Sequence, residues 1–373
     1  MCTKQDVIEK ALSLKFEDVG FTTALPFDFQ RDILEERSRD YAPLLELGLD
    51  LPGGVDPKNT LPKAKSIIVL MENYFRTSFP RALEGKFGRC YLDDDRMTKD
   101  GLSLRIKEFR SFLRDHGIDS KVPFNISQRL SAARAGLGNF GKNCFLYAHR
   151  AARKSSWVLP VAVVVDYEFE PDEPTYDIDC PDWCRDACMA ACPTGAIIAP
   201  LRMNPRRCIS FLTYYGTGLT PRALREPMGT WVYGCDVCQN ACPRNRAWLS
   251  QELPTNERAA AKVENFTLSK LLGMDLSFYQ SKIWPHMFYQ SPKETWRWKM
   301  NTARAMGNSL DDRFVSDLVR ALTEEEDERV LAMCAWSLGR LGGKKATNAL
   351  ESARKRARGI ILEEIEYALE GCQ

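Results

Sequence analysis

Two short runs of cysteine constrain this chain more than any other feature. The first is Cys180-Pro-Asp-Trp-Cys184-Arg-Asp-Ala-Cys188-Met-Ala-Ala-Cys192-Pro193, and the second is Cys235-Asp-Val-Cys238-Gln-Asn-Ala-Cys242-Pro243, with Cys208 between them. Eight of the 13 cysteines lie in this stretch, while Cys2, Cys90 and Cys144 precede it and Cys334 and Cys372 follow. Both runs end in C-x3-C-P, the closing part of the bacterial ferredoxin pattern, in which the cysteine before proline ligates the neighbouring cluster. Each iron of a cubane takes one thiolate, so three closely spaced cysteines wrap three corners and the fourth crosses over. The pattern assigns Cys180, Cys184, Cys188 and Cys242 to one 4Fe-4S cluster, and Cys192, Cys208, Cys235 and Cys238 to a second. The x3 spacings between Cys180, Cys184 and Cys188 exceed the usual x2, so this loop carries two extra residues that must bulge outward. Structural zinc fits less well, because separate tetrahedra explain neither the paired C-x3-C-P endings nor the isolated Cys208. A disulfide framework fits least.

The remaining sequence divides around this module. Ser66 to Glu72 and Trp157 to Glu168 are rich in β-branched residues and read as buried strands. Between them Leu102, Ile106, Phe109, Phe112 and Leu113 recur at helical spacing, and a second helix is predicted over 126–135. The acidic, proline-containing segment 168–179 reads as a linker, with a boundary near residue 172. From Trp296 the chain is helical and repeats at an offset of 32, with Gly307 over Gly339, Leu318 over Leu350 and Ala321 over Ala353. A period of this size marks paired-helix solenoid repeats. Residues 250–295 show no clear pattern.

Composition excludes several classes. Lys plus Arg is 52 against 50 for Asp plus Glu, so no large net field draws the chain to nucleic acid or to a membrane. No apolar run approaches the roughly 20 residues of a membrane span. The opening MCTKQDVIEK lacks a basic region followed by an apolar one, which predicts a cytoplasmic protein. The three histidines, His116, His149 and His286, form no metal-binding pair and no cobalamin-ligand motif. The glycine-rich stretch from Ala135 to Lys142 follows a helix and not a strand, so it fails the context of a dinucleotide fingerprint and reads as a tight turn. The five cysteines outside the ligand sets are taken as thiols, buried at Cys90, Cys144 and Cys334.

Four stretches together resemble a known family. Ala135-Gly-Leu-Gly-Asn-Phe-Gly-Lys-Asn143, Cys192-Pro-Thr-Gly-Ala-Ile197, Arg207-Cys-Ile-Ser-Phe-Leu-Thr213 and Gly234-Cys-Asp-Val-Cys-Gln239 occur in the order and approximate spacing of the epoxyqueuosine reductases, relatives of reductive dehalogenases. The resemblance implies an α+β multidomain oxidoreductase: a nitroreductase-like α/β cobalamin-binding domain over 1–172, a two-cluster ferredoxin-like domain over 173–255, and a linker with HEAT-like helical repeats over 256–373. It implies electrons passed from a low-potential ferredoxin- or flavodoxin-type donor through both clusters to cobalt. By similarity Gly136, Gly138, Phe140, Lys142, Asn143, Ser156 and Trp157 contact the corrin.

One position departs from the family. Where its members carry an aspartate that protonates the substrate, this chain aligns Val122, and Tyr91-Leu-Asp-Asp-Asp-Arg96 replaces the family's R-D-Y-H. Asp119 reaches the missing position only if about three residues are inserted; Tyr74, Tyr91, Tyr214 and Tyr215 are alternative proton donors. Asp119 and Tyr215 are the candidate catalytic residues. The functions open to such a chain are reduction of a tRNA nucleoside, reductive removal of a leaving group from a small molecule, and electron delivery to another protein's corrinoid. From Trp296 onward 13 basic residues balance 13 acidic ones, although Arg354-Lys-Arg-Ala-Arg358 is locally basic.

Overall fold

The computed structural model describes residues 2–46, 48–92, 101–287 and 290–371. The chain forms two compact units, each made of three segments: 1–78, 93–205 and 237–254 in the first, and 79–92, 206–236 and 255–373 in the second. Asp93 to Arg96, part of the stretch replacing R-D-Y-H, and Cys372 lie outside the described residues.

Among the described residues the strands all belong to the first unit: β1 (Asp18–Thr23), β2 (Ser66–Asn73), β3 (Ser120–Lys121), β4 (Gly138–Phe140), β5 (Leu146–Ala148), β6 (Val158–Val165), β7 (Ile197–Ala199) and β8 (Arg202–Met203). β1, β2, β6 and β3 make one antiparallel sheet in that order, with Ser66 opposite Val165 and Asn73 opposite Val158. The two β-branched runs therefore become its central strands. Both faces are covered, which is why they read as continuous apolar sequence. Ile67, Val69 and Met71 join one apolar cluster with Ala162 and Val164; Ile68 and Leu70 join another with Val161, Val163 and Val165. Burying each such side chain contributes about 1.5–3 kcal/mol.

Three helices cover the sheet. α1 (Lys4–Ser13) and α2 (Leu102–Asp115) bury Val7, Ala11, Leu102, Ile106, Phe109 and Leu113 on one face, while α3 (Gln128–Arg134) buries Leu130, Ala132 and Ala133 on the other. Pro160 stands inside β6, where a missing N–H would normally break a ladder. It is accommodated because β3 pairs only with the Val164–Val165 end. Farther along that edge the Ala162 N–H donates to the Gln128 Oε1 at 2.6 Å, and Pro160, facing the same side, has no N–H to leave unpaired.

The second unit is helical. Its C-terminal helices are α4 (Trp296–Ser309), α5 (Val315–Glu324), α6 (Glu328–Leu341), α7 (Gly343–Arg354) and α8 (Gly359–Glu370), and α6 begins 32 residues after α4, as the repeat predicts. The matched glycines explain the period. A Cβ on Gly307 would lie 2.9 Å from the Ser337 Cα, and one on Gly339 would lie 2.8 Å from the Ala368 Cα. Each repeat thus uses its glycine to let the next helix of the stack approach closely. Leu318, Ala321, Leu350 and Ala353 are all buried in the same core. Residues 250–295 fold as short helical pieces, Glu257–Lys262 and Leu268–Leu272 among them, whose Phe266, Leu271, Leu272, Tyr279 and Ile283 also enter this core.

None of the described cysteines is in a disulfide. Cys334 is buried as expected, but Cys90 and Cys144 are half-buried, and Cys2, just before α1, is buried instead in the apolar cluster that holds Val7 and Ala11. Cys144 sits at φ +64° in the turn between β4 and β5, which holds it near the surface.

Candidate functional site

Within the first unit four thiols come from two stretches of chain. Cys180 ends the acidic segment, Cys184 closes the turn Asp182–Cys184, Cys188 sits in the helical turn Ala187–Ala190, and Cys242 follows the turn Val237–Asn240. Burial pushes the Cys180 thiol up, opposed by the main-chain N–H of Lys142 and reinforced by Cys184 and Cys242. Burial likewise pushes Cys188 up to about 11, reinforced by Cys184, Cys180 and Cys242. Groups that disfavour each other's charge in this way are close neighbours. Cys180, Cys184, Cys188 and Cys242 are therefore gathered at one place. Bound iron would favour the thiolates that burial disfavours, so this donor set suits an iron–sulfur cluster. Among the described residues no group of three or more His, Cys, Asp or Glu side chains is arranged to grip a single ion.

Main-chain donors reach two of the sulfurs. The Lys142 N–H donates to the Cys180 Sγ at 3.4 Å, and the Ala196 N–H donates to the Cys192 Sγ at 3.2 Å. Cys192 and Cys238 also belong to the first unit, and Cys208 and Cys235 belong to the second.

Beside the four thiols lies a buried polar lattice that the sequence does not announce. Gln239 Nε2 donates to the Ser156 carbonyl at 3.1 Å, to the Ser156 Oγ at 3.0 Å and to the Tyr74 hydroxyl at 3.1 Å. Asn245 Nδ2 donates to the Ser156 Oγ at 2.8 Å, and the Ser156 N–H donates to the Asn245 Oδ1 at 3.1 Å. Asn143 Nδ2 donates to the Tyr147 hydroxyl at 3.1 Å and to the Cys238 carbonyl at 3.4 Å. The Tyr147 phenol is held well above its usual range by burial and by Cys242 beside it. The lattice thus ties the start of β6 to the Cys238–Cys242 segment. Gln239 was legible only as a member of the second cysteine run and Asn245 lies just beyond it; nothing marked them as partners of Ser156.

The residues expected to touch a corrin are placed as follows. Gly136 has φ +66°, and a Cβ there would meet the Glu173 carbonyl at 2.6 Å; at Gly138 a Cβ would meet the Tyr147 carbonyl at 2.5 Å. Phe140 ends β4 and bridges to Ile178. The Lys142 ammonium pairs with Asp186, Asn143 and Ser156 are engaged as above, and the indole of Trp157 is fully buried edge-on to Tyr74 and Phe75. The side chains of Lys142, Asn143 and Ser156 are thus turned to protein partners.

The two candidate catalytic residues lie elsewhere. Asp119 is exposed beyond the Val165 end of β6, opposite to the end that carries Ser156; its Oδ1 accepts from the Ser120 N–H at 2.7 Å. Val122 is half-buried against the outer apolar cluster. Tyr215 is in the second unit, its ring against Phe211 and Tyr214, and burial pushes its phenol up to about 12.

In the second unit the family-like stretches meet. The Gly234 N–H donates to the Thr213 Oγ1 at 3.0 Å, and the Thr213 carbonyl accepts from Gln290 at 2.8 Å and Asn301 at 2.9 Å. Asp236 is buried and accepts from the Arg89 main chain at 2.9 Å and its guanidinium at 3.1 Å. Arg304 of α4, pushed down to about 9 by burial, donates to the Gly229 carbonyl at 3.0 Å and to the Trp231 carbonyl. These bonds fix the segment that presents Cys235.

Comparison with known proteins finds likeness along the whole chain. The 4Fe-4S double cluster binding domain matches residues 181–245, and HEAT repeats match residues 291–370. The epoxyqueuosine reductase of Bacillus subtilis (strain 168) is 29% identical, covering 98% of this chain and 95% of its own, and that of Staphylococcus aureus is 29% identical over 94% of this chain and 91% of its own. A crystal structure of selenomethionine-labelled epoxyqueuosine reductase superposes with a TM-score of 0.83 at 28% identity, covering 99% of both chains. The chain is a divergent relative of the epoxyqueuosine reductases. It is an oxidoreductase, and it carries a double-cluster domain and HEAT repeats in one chain. Another epoxyqueuosine reductase structure, solved with a tRNA-Tyr stem loop modified with epoxyqueuosine, gives a TM-score of 0.81 at 28% identity, covering 99% of this chain and 98% of that one. Among the described residues no helix is long and apolar enough to cross a membrane.

Proposed function

We propose that this chain is a tRNA-acting reductase that opens the epoxide of epoxyqueuosine, with electrons entering from a low-potential ferredoxin- or flavodoxin-type donor. The observation that carries the reading is the gathering of Cys180, Cys184, Cys188 and Cys242 from two stretches of chain, within a whole-length likeness to epoxyqueuosine reductases. Those four thiolates hold one 4Fe-4S cluster, as the crossed C-x3-C-P pattern requires. Cobalamin belongs to the proposal on likeness alone: when bound it would supply a strongly reducing metal centre. Because the polar side chains first assigned to it are engaged within the protein, no step is assigned to them.

The proton donor we propose is Tyr215. Its half-buried phenol keeps its proton throughout the physiological range, whereas Asp119 is exposed at the far end of β6 from Ser156. A second reading, reductive removal of a leaving group from a small molecule, draws on Val122, an apolar residue where the family carries its acid. Anaerobic turnover with tRNA carrying epoxyqueuosine decides between them. Conversion to queuosine by the wild-type chain, slowed in Tyr215→Phe with cluster spectra unchanged, supports the proposal. Absence of conversion by a chain loaded with both clusters and cobalamin refutes it.

A further inference from the structure

The lengthened loop between Cys180 and Cys188 has a specific geometry. Arg185 and Asp186 are left-handed, at φ +47° and +58°, a conformation that residues other than glycine rarely hold. The left-handed pair makes the bulge that the wider spacing demands and delivers the Asp186 carboxylate to Lys142, with which it forms an ion pair. Lys142 is also the residue whose main-chain N–H donates to the Cys180 Sγ at 3.4 Å. Its own carbonyl accepts from the Leu201 N–H at 3.1 Å, which fixes the turn from the other side. One residue therefore touches the cysteine loop twice, through its backbone at the first thiol and through its ammonium at the bulge.

We propose that the Lys142–Asp186 pair holds this lengthened loop and sets the reduction potential of the first cluster, so that Lys142 is a positioning residue of that cluster and not a corrin contact. The inference rests on the ligand set proposed above. The physical basis is the charge of the added electron: hydrogen bonds to sulfur and nearby cations favour the reduced cluster, and nearby anions disfavour it. Lys142 and Asp186 place one of each beside the same loop, and both are partly exposed, so salt screens their effect in part.

The experiment is a potentiometric titration of the anaerobically purified full-length chain, followed by paramagnetic resonance and iron content. Lys142→Gln is expected to shift the first cluster's potential to more negative values, and Asp186→Asn to more positive ones. The double variant is expected closer to wild type than either single, because the two charges are coupled. All three shifts should shrink at high ionic strength. Loss of the first cluster from both single variants, with the second retained, would also support the holding role. Unchanged potentials in both singles overturn the inference, as does a Lys142→Gln chain that keeps its potential but binds added cobalamin more weakly in an optical titration. A wild-type chain without the first cluster would instead refute the ligand set itself, which separates the two failures.

Discussion

The carboxamide of Gln239 donates to both the carbonyl and the hydroxyl of Ser156, at 3.1 and 3.0 Å, with both residues buried. A helical turn of the cysteine module is thereby bonded to the residue that precedes β6. Replacing Gln239 by Leu leaves the Ser156 carbonyl buried without this donor, at a cost of about 1–3 kcal/mol. The expected result is a lower midpoint in denaturant with an unchanged slope. Asn245→Ala should cost a similar amount, and the double variant less than the sum, because both side chains share the Ser156 Oγ.

Iron content tests the ligand assignment. The wild-type chain should bind about eight irons, and Cys188→Ala or Cys242→Ala about four, with one cluster spectrum retained. Because Cys188 and Cys242 come from different runs, loss of the same cluster, identified by its spectrum, from both variants is the mark of crossed ligation. Loss of different clusters from the two variants would refute it.

Arg225 and Glu364 form a buried bidentate pair in the second unit, at 2.6 and 2.9 Å, with Arg222 adding a third bond at 3.0 Å. Glu364→Ala strands the Arg225 guanidinium and should cost about 3–5 kcal/mol, seen as a lower melting temperature. Replacing Arg225 by Met together with Glu364 by Leu should recover most of that loss, since the pair itself contributes little beyond its own desolvation.

Alanine in place of Gly339 sets two effects against each other. In an open helix the change stabilises by up to about 1 kcal/mol. Here the added Cβ would lie 2.6 Å from the Ala368 Cβ and 2.8 Å from its Cα, so α6 and α8 must separate. Overpacking costs about 1–3 kcal/mol and wins, so thermal unfolding of Gly339→Ala should occur at lower temperature than wild type.

How much of this was legible in the sequence depended on whether its cause was local. The stripe Leu102, Ile106, Phe109 and Leu113 became the buried face of α2, and the 32-residue period became the spacing of α4 and α6, because both are written at helical repeat distances. The pieces between 250 and 295 were silent because helices of five or six residues are too short to display a period. At the site, the cysteines announced themselves through spacing, whereas Lys142 and Ser156 were named by resemblance as corrin contacts and nothing in the sequence marked the protein partners they have. Their partners, Asp186, Gln239 and Asn245, are distant in sequence, and only the fold brings them together.

The split origin of the four gathered thiols has a consequence for synthesis. Cys180, Cys184 and Cys188 leave the ribosome well before Cys242, and at roughly 5–20 residues per second the interval lasts several seconds. During that interval the nascent chain displays a three-cornered nest that cannot yet close, with its sulfurs open to oxidants. With the ligand set proposed above, iron would find four thiols only once Cys242 has emerged, which would make cofactor insertion a late maturation event and oxygen during translation a hazard distinct from oxygen acting on the finished enzyme.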